Sequence, residues 1–372
     1  MRICIAHGGD VSQPSGGTDR VTALASGLQA RGYDITLVVP EPGGSLPERL
    51  RSVDVHGVEA GFLGGGPAIA RASAITKAAQ SIAEERGAVL QLEHSSLAGV
   101  GTLRGCDGFV LDMHDVAYPR FDHVDSVASP ILKQGVAWLE RRAVERARHI
   151  IVVSDYMKQI LQEDWGVPAE NITPVPNGYF PERIESATSS DEVAGRVCFL
   201  GTLHPKVDVE AFEHIAELPS VSDVVVIGDG ARRDDVDRLA AENSVIRAPG
   251  RLPDDEAFKL VASSEVVVNP QTDSELQRSS SPVKLFYYAA LGKPMVVSAG
   301  PSVVRELESA TAARSVSTRA DLVAQVEELI EMPEHRRELS RNAATMAEEF
   351  SWSARVDQVA SVYGKLTDGI SR

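Results

Sequence analysis

The chain has 372 residues, 43% of them hydrophobic, with 53 acidic residues against 37 Lys and Arg and a net charge of −16 at pH 7. That length exceeds one ordinary core and suits two domains, each able to bury its own interior. The acidic balance excludes nonspecific nucleic-acid binding, and no apolar run approaches the ~20 residues that span a bilayer. Only eight of the basic residues are Lys, so a basic position inside a site stands out against a surface that repels anions. Cys4, Cys106 and Cys198 have no metal-ligand spacing and read as reduced core residues. The chain enters directly as a strand without a basic leader, so a cytoplasmic protein is expected.

The first half alternates strand-like and helix-like segments. Residues 3–7 read as a strand, 21–31 as a helix and 35–40 as a strand. Residues 68–86 read as a helix, 89–92 and 108–112 as strands, and 130–148 as a long helix. Residues 150–154 make a strand, and 155–164 a helix capped by Ser154. Near-continuous apolar strands between helices predict a doubly wound parallel sheet. A polar, Ser-rich stretch follows, and the linker is placed at 181–195. Four segments result: 1–180, the linker 181–195, 196–348, and a C-terminal helix at 349–372.

The second series of elements repeats the first in kind. Strands are expected at 197–201, 223–228, 245–248, 265–270 and 295–298. Helices are expected at 209–218, 232–243, 254–263, 284–291, 319–331 and 334–349. In the terminal segment Phe350, Trp352, Val356, Val359 and Tyr363 fall largely on one face, which suits packing. Helix 130–148 carries Lys133, Arg141, Arg142, Arg146 and Arg148, but Glu140 and Glu145 interleave. It reads as a solvated face rather than a membrane patch.

Several positions can carry chemistry. Gly16 and Gly17 stand between the first strand and first helix, where glycine lets backbone approach a phosphate and a helix N-terminus supplies donors. The dinucleotide spacing GxGxxG is absent, which argues against a dehydrogenase. Asp112-Met113-His114-Asp115 ends a strand, the place where open parallel sheets put ligands. His94, at the end of the preceding strand, is the rival to His114. Ser281-Pro282-Val283-Lys284 opens a short amphipathic helix that stops at Gly292 before the strand entered from Pro294. Lys284 therefore lies in a first helical turn, where free N–H groups and the dipole favour an anion.

The run Ser281-Pro282-Val283-Lys284-Leu285-Phe286-Tyr287-Tyr288-Ala289-Ala290-Leu291-Gly292-Lys293-Pro294-Met295-Val296-Val297 closely resembles the donor-site motif of retaining glycosyltransferases of family 4. Val152-Val153-Ser154 and Pro176-Asn177-Gly178 resemble the signatures that close that family's N-terminal domain. Gly201-Thr202 through Asp208, Gly228-Asp229-Gly230 and Gly250-Arg251-Leu252 resemble its donor-domain turns. The resemblance implies an α/β GT-B fold, with two Rossmann-like doubly wound parallel-sheet domains facing a central cleft. The N-terminal one would be the acceptor side and the C-terminal one the nucleotide-sugar side, the last helix crossing back to the former.

The same resemblance implies a metal-independent hexosyltransferase, with a nucleoside diphosphate sugar as co-substrate and no other cofactor. Its acceptor would be a saccharide or lipid-linked saccharide, the latter with peripheral contact at the inner face of a membrane. His114 would lie near the transferred sugar, and Lys284 would neutralise the departing diphosphate. Donor contacts would come from Gly16, Gly17, Gly201, Thr202, Lys206 and Gly228. Others would come from Arg251 and Leu252, and from Ser279, Ser281, Pro282, Val283 and Tyr287 around the motif helix. Some of these depart from the family pattern. Tyr287 and Ser279 stand where the family has paired glutamates, and Thr202 replaces an arginine. Tyrosine can exchange one hydrogen bond with a ribose hydroxyl but cannot accept two as a carboxylate does. The alternative is therefore a catalytically degenerate protein that binds a nucleotide sugar or a partner without turnover.

Overall fold

A computed structural model describes all residues except 14, 60–67, 117–128, 188–190 and 369–372. The chain forms two compact units, one of Met1–Asn177 with Trp352–Arg372 and the other of Gly178–Ser351.

The first unit is built from β1 (Arg2–Ala6), α1 (Gly16–Ala30), β2 (Asp34–Pro40), β3 (Asp54–Val58), α2 (Ala68–Arg86) and β4 (Val89–Glu93). It continues through α3 (Ser95–Leu103), β5 (Phe109–Met113), α4 (Ser129–Arg146), β6 (Ala147–Val152), α5 (Asp155–Glu163) and β7 (Ile172–Pro174). The seven strands are parallel in the order β3-β2-β1-β4-β5-β6-β7. Strand order reverses between β1 and β4, and the carboxyl ends of those strands form the switch point where such sheets take ligands. Helix α1 begins five residues before the expected residue 21, because Ser15 caps it. The Ser15 hydroxyl accepts from Thr18 N at 3.1 Å, and Thr18 Oγ1 accepts from Ser15 N at 2.8 Å. This capping box brings Gly16 and Gly17 into the first turn. Ser154 caps α5 as expected, accepting from Met157 N at 3.2 Å.

The second unit holds β8 (Val193–Leu200), α6 (Glu210–Ala216), β9 (Asp223–Ile227), α7 (Arg233–Glu242), β10 (Ile246–Gly250), α8 (Asp254–Ala262) and β11 (Ser264–Asn269). Then come α9 (Glu275–Ser279), α10 (Val283–Ala290), β12 (Met295–Ser298), α11 (Ser302–Ser309), β13 (Ala313–Val316), α12 (Arg319–Glu331) and α13 (Pro333–Met346). Its six strands are parallel in the order β10-β9-β8-β11-β12-β13, with the reversal between β8 and β11. Much of the expected linker 181–195 is ordered. Residues 181–183 and 185–187 form 3-10 turns, and Ile184 and Ala187 are buried in one core with Phe258 and Val261. Residue 193 already begins β8. Polar composition concealed this because only two apolar side chains anchor the segment.

The last helix, α14 (Trp352–Asp368), belongs to the first unit. Its Val356, Val359 and Tyr363 are buried in one core with Leu24 and Leu28 of α1. No helix among the described residues is long and apolar enough to cross a membrane. Cys4, Cys106 and Cys198 are buried free thiols.

Candidate active site

In the first unit, three histidines meet at the switch point. His7 follows β1, His94 follows β4 and His114 follows β5. The His94 and His114 ring centroids are 3.9 Å apart, and those of His7 and His94 are 5.8 Å apart. A Cβ on Gly17 would stand 3.7 Å from His7 Cε1 and His94 Nε2 and 3.8 Å from His114 Nδ1. The missing side chain of Gly17 thus leaves room against all three rings. His94 holds φ of 68°, a left-handed conformation that costs a non-glycine residue energy and is found where the surroundings enforce it.

Behind the rings lies a buried layer of charge. The Arg20 guanidinium, fully buried, donates from Nε to Asp112 Oδ2 and from Nη2 to Asp112 Oδ1, both at 2.9 Å. Its Nη1 donates to Val175 O at 3.0 Å. Beside this pair, Glu93 Oε2 lies 2.7 Å from His114 Nε2, and Glu93 Oε1 accepts from Gln91 Nε2 at 2.5 Å. Burial, reinforced by the nearby Asp112 charge, holds the Glu93 carboxyl well above the usual range. Burial pushes His114 down to about 4, so it is a neutral imidazole near pH 7. His7 is also held well below its ordinary value, by burial and then by the two neighbouring imidazoles. Its buried Nδ1 has no hydrogen-bond partner among the described residues. Glu93, Asp112 and His114 offer ligand atoms within 4.8 Å of one another. Arg20 already binds Asp112 through both oxygens, and Glu93 is engaged by Gln91 and His114.

In the second unit, the strand ends beside the reversal carry the lysines. Lys284, in the first turn of α10, lays its Nζ 3.8 Å from the centroid of the Phe199 ring. A Cβ on Gly201 would stand 2.7 Å from Lys284 Nζ, so glycine is what lets the ammonium lie over the end of β8. Burial and then the charge of Lys206 push Lys284 down to about 7. Burial alone pushes Lys206 down to about 8. Among the described residues neither ammonium has an ion-pair partner. An anion placed here would restore both to full charge. Gly228 packs against the same turn, with φ of 140° and a would-be Cβ only 1.9 Å from Gly201 O.

The remaining expected residues divide by exposure. Gly16, Thr202 and Arg251 are exposed, and Leu252 packs half-buried against the core. Among the described residues no side chain caps α10, whose N-cap is Pro282. Val283 is partly buried beside it, and Ser279 and Ser281 are buried. Tyr287 is 4% exposed, and its hydroxyl accepts from Phe180 N at 3.3 Å and Arg183 Nη1 at 3.4 Å. Its ring stacks 4.6 Å from Phe258. Neighbouring Tyr288 accepts from Leu200 N at 2.8 Å and so ties α10 to the end of β8. Asp208 is taken by Arg319 through both oxygens, at 2.8 and 2.7 Å. Lys293, the motif's other lysine, is buried against Glu192 and Ala262 O.

His7, Arg20 and Glu93 were not singled out by sequence reasoning as site residues, and Asp112 was named only within the strand end that carries His114. The signal available was position: three of the four stand at or just past the carboxyl ends of β1, β4 and β5.

Comparison with known proteins bears on the family and the fold. The family model for Glycosyltransferase Family 4 matches residues 14–183, and that for Glycosyl transferase-like proteins matches 208–361. The chain belongs to the family 4 type of glycosyltransferase, with the GT-B fold. It is 23% identical over 262 residues to an alpha-D-kanosaminyltransferase of Streptomyces kanamyceticus. That stretch is 65% of this chain and 66%, just under two thirds, of the relative. Sucrose-phosphate synthase of Thermosynechococcus elongatus is a structural neighbour at TM-score 0.79 and 16% identity, covering 99% of both chains. Anabaena HepE in complex with UDP and glucose follows at 0.70 and 16%, covering 98% of this chain and 99% of its own.

Proposed function

We propose that the protein is a retaining hexosyltransferase that moves a sugar from a nucleoside diphosphate sugar to a saccharide acceptor, without a metal. The observation that carries this reading is the pair Lys284 and Lys206, two partly buried ammonium groups with depressed pKa and no carboxylate partner among the described residues. A leaving diphosphate supplies the missing charge, and holding charge as it develops in the transition state is usually the greatest rate advantage such a site provides. Loss of the diphosphate and attack by the acceptor on one face of the sugar need no nucleophilic carboxylate, which suits a neutral His114. HepE in complex with UDP and glucose favours a uridine donor.

The test is thermal stability against UDP-, GDP- and dTDP-sugars, at low and high KCl, with Lys284→Ala beside the wild type. A true donor at about a hundred times its Kd adds ~2.7 kcal/mol to the wild type and little to the variant. The second reading, a binder without turnover, is favoured by Tyr287. That hydroxyl is engaged by Phe180 N and Arg183 where the family places a ribose-binding glutamate. Stabilisation by a donor with no transfer product across an acceptor panel selects it. No stabilisation by any nucleotide sugar removes the transferase reading and leaves, of the second, a protein that binds a partner without turnover.

A further inference from the structure

A continuous buried chain of hydrogen bonds runs beneath the histidines of the first unit. It starts on α14, where the Tyr363 hydroxyl donates to Gln91 Oε1. Gln91 Nε2 donates to Glu93 Oε1 at 2.5 Å, and Glu93 Oε2 meets His114 Nε2 at 2.7 Å. Tyr363, Gln91 and Glu93 are all 0% exposed. Each link constrains the next. With the Gln91 amide oxygen toward the tyrosine, its NH2 is left for Glu93 Oε1. In that arrangement a proton on the Glu93 carboxyl sits on Oε2, facing His114. The other imidazole nitrogen, Nδ1, faces the space beside Gly17.

We propose that Glu93 is a positioning residue, whose single exchangeable proton sets whether His114 Nδ1 donates or accepts a hydrogen bond at the ligand face. With the carboxyl protonated, Oε2–H donates to Nε2, the imidazole carries its proton on Nδ1, and Nδ1–H donates to a sugar oxygen. When the pair releases one proton to solvent, the carboxylate accepts from Nε2–H and Nδ1 presents a lone pair to a sugar hydroxyl. The ring stays neutral in both states, so polarity reverses without a buried imidazolium. Burial favours the protonated state over an ion pair of carboxylate and imidazolium, since it penalises both charges. The charged and titratable groups facing the pair fit the same scheme. Asp112 Oδ2 is 3.8 Å from His114 Nε2 but is neutralised by Arg20, while His7 and His94 are imidazoles. Asp115, next on the chain, is partly exposed.

The proposal rests on the transferase reading only for its consequence, not for its test. In unliganded full-length protein, the nitrogen-15 shifts of His114 are followed from pH 5 to 9. The expected result is a change from Nδ1–H to Nε2–H with no imidazolium between, and Glu93→Gln abolishes it. In that variant the introduced amide NH2 donates permanently to His114 Nε2 and locks the Nδ1–H form. Passage of wild-type His114 through imidazolium, or one tautomer across the whole range, overturns the proposal, as does an unchanged transition in the variant. The wild-type titration alone decides the matter if Glu93→Gln does not fold. With an acceptor in hand, the pH profile of kcat/KM loses the limb assigned to the pair in Glu93→Gln. A tautomer change with no transfer activity overturns the transferase reading and leaves Glu93 in its role.

Discussion

At the scale of residues, the two units use opposite electrostatics. Around Gly17 the His7 and His114 imidazoles are held neutral near pH 7, whereas Lys284 and Lys206 are held below their ordinary pKa. Two pH trends follow for the lysines, with opposite signs. Lys284 titrates near 7 when folded and near 10.5 when unfolded. Between those values the unfolded chain binds more protons, so stability without ligand rises with pH across that window. Anion binding needs the protonated form, so nucleotide affinity falls from pH 6 to 9, and calorimetry in buffers of different ionisation heat registers proton uptake. Affinity that is flat over that range removes Lys284 and Lys206 from the diphosphate site. The glycines give a second contrast. Gly228→Ala forces a Cβ to 1.9 Å from a backbone oxygen at φ of 140° and is expected to cost about 3 kcal/mol or more. Gly17→Ala meets its three histidines at ordinary contact distances, so stability changes by no more than ~0.5 kcal/mol while transfer is lost to the methyl at the ligand face. Denaturant midpoints and turnover, measured together, separate the two effects.

At the scale of elements, sequence periodicity found the long helices and central strands and passed over the short or irregular ones. Helices 68–86 and 319–331 and strand 295–298 agree with the structure residue for residue. Helix α3, Ser-Ser-Leu-Ala-Gly-Val-Gly-Thr-Leu, was not expected, because two glycines lower its propensity. It forms because packing requires them: a Cβ on Gly99 would stand 2.7 Å from Leu139 O of α4. Strands β3, β7 and β13 were missed at sheet edges, where one neighbour suffices and the apolar pattern fades. Helix α9, five residues long, is too short to display a period, whereas α11 was passed over although Val303, Val304 and Leu307 are buried along it. The same close packing governs α1 against α14. A Cβ on Gly27 would lie 2.5 Å from Val356 Cγ2, so Gly27→Ala is expected to cost about 1–3 kcal/mol through overpacking. Adding Val356→Ala should recover part of that loss, giving a coupling of at least ~0.5 kcal/mol in a double-mutant cycle. Additive single effects would mean that the helices do not meet at this point.

For the whole molecule, the chain leaves the first unit at Asn177 and returns to it at Trp352. Truncation after Ser351 therefore strips Val356, Val359 and Tyr363 from the first unit's core while leaving the second unit's sequence whole. Hydrogen exchange should show lost protection in β1, α1 and β2 and retained protection in β8 and β11. Uniform loss in both units would contradict the division. The charge of −16 repels itself across the surface, so raising KCl from about 0.05 to about 0.5 M screens it and should raise Tm. A Tm that falls with salt would show instead that specific ion pairs outweigh the net field.

The sequence by itself determined the doubly wound class, the position of most elements and the family, because these depend on local periodicity and on short contiguous motifs. Lys284 at a helix start and His114 at a strand end were legible for the same reason. The tertiary structure alone decided which groups stand behind them. Arg20 reaches Asp112 across 92 positions, and Tyr363 reaches Gln91 across 272. It also decided that Tyr287 turns its hydroxyl to Phe180 and Arg183, and that Lys284 and Lys206 lose water together. Burial and long-range pairing set the charge of these side chains, and neither leaves a periodic trace in the order of residues.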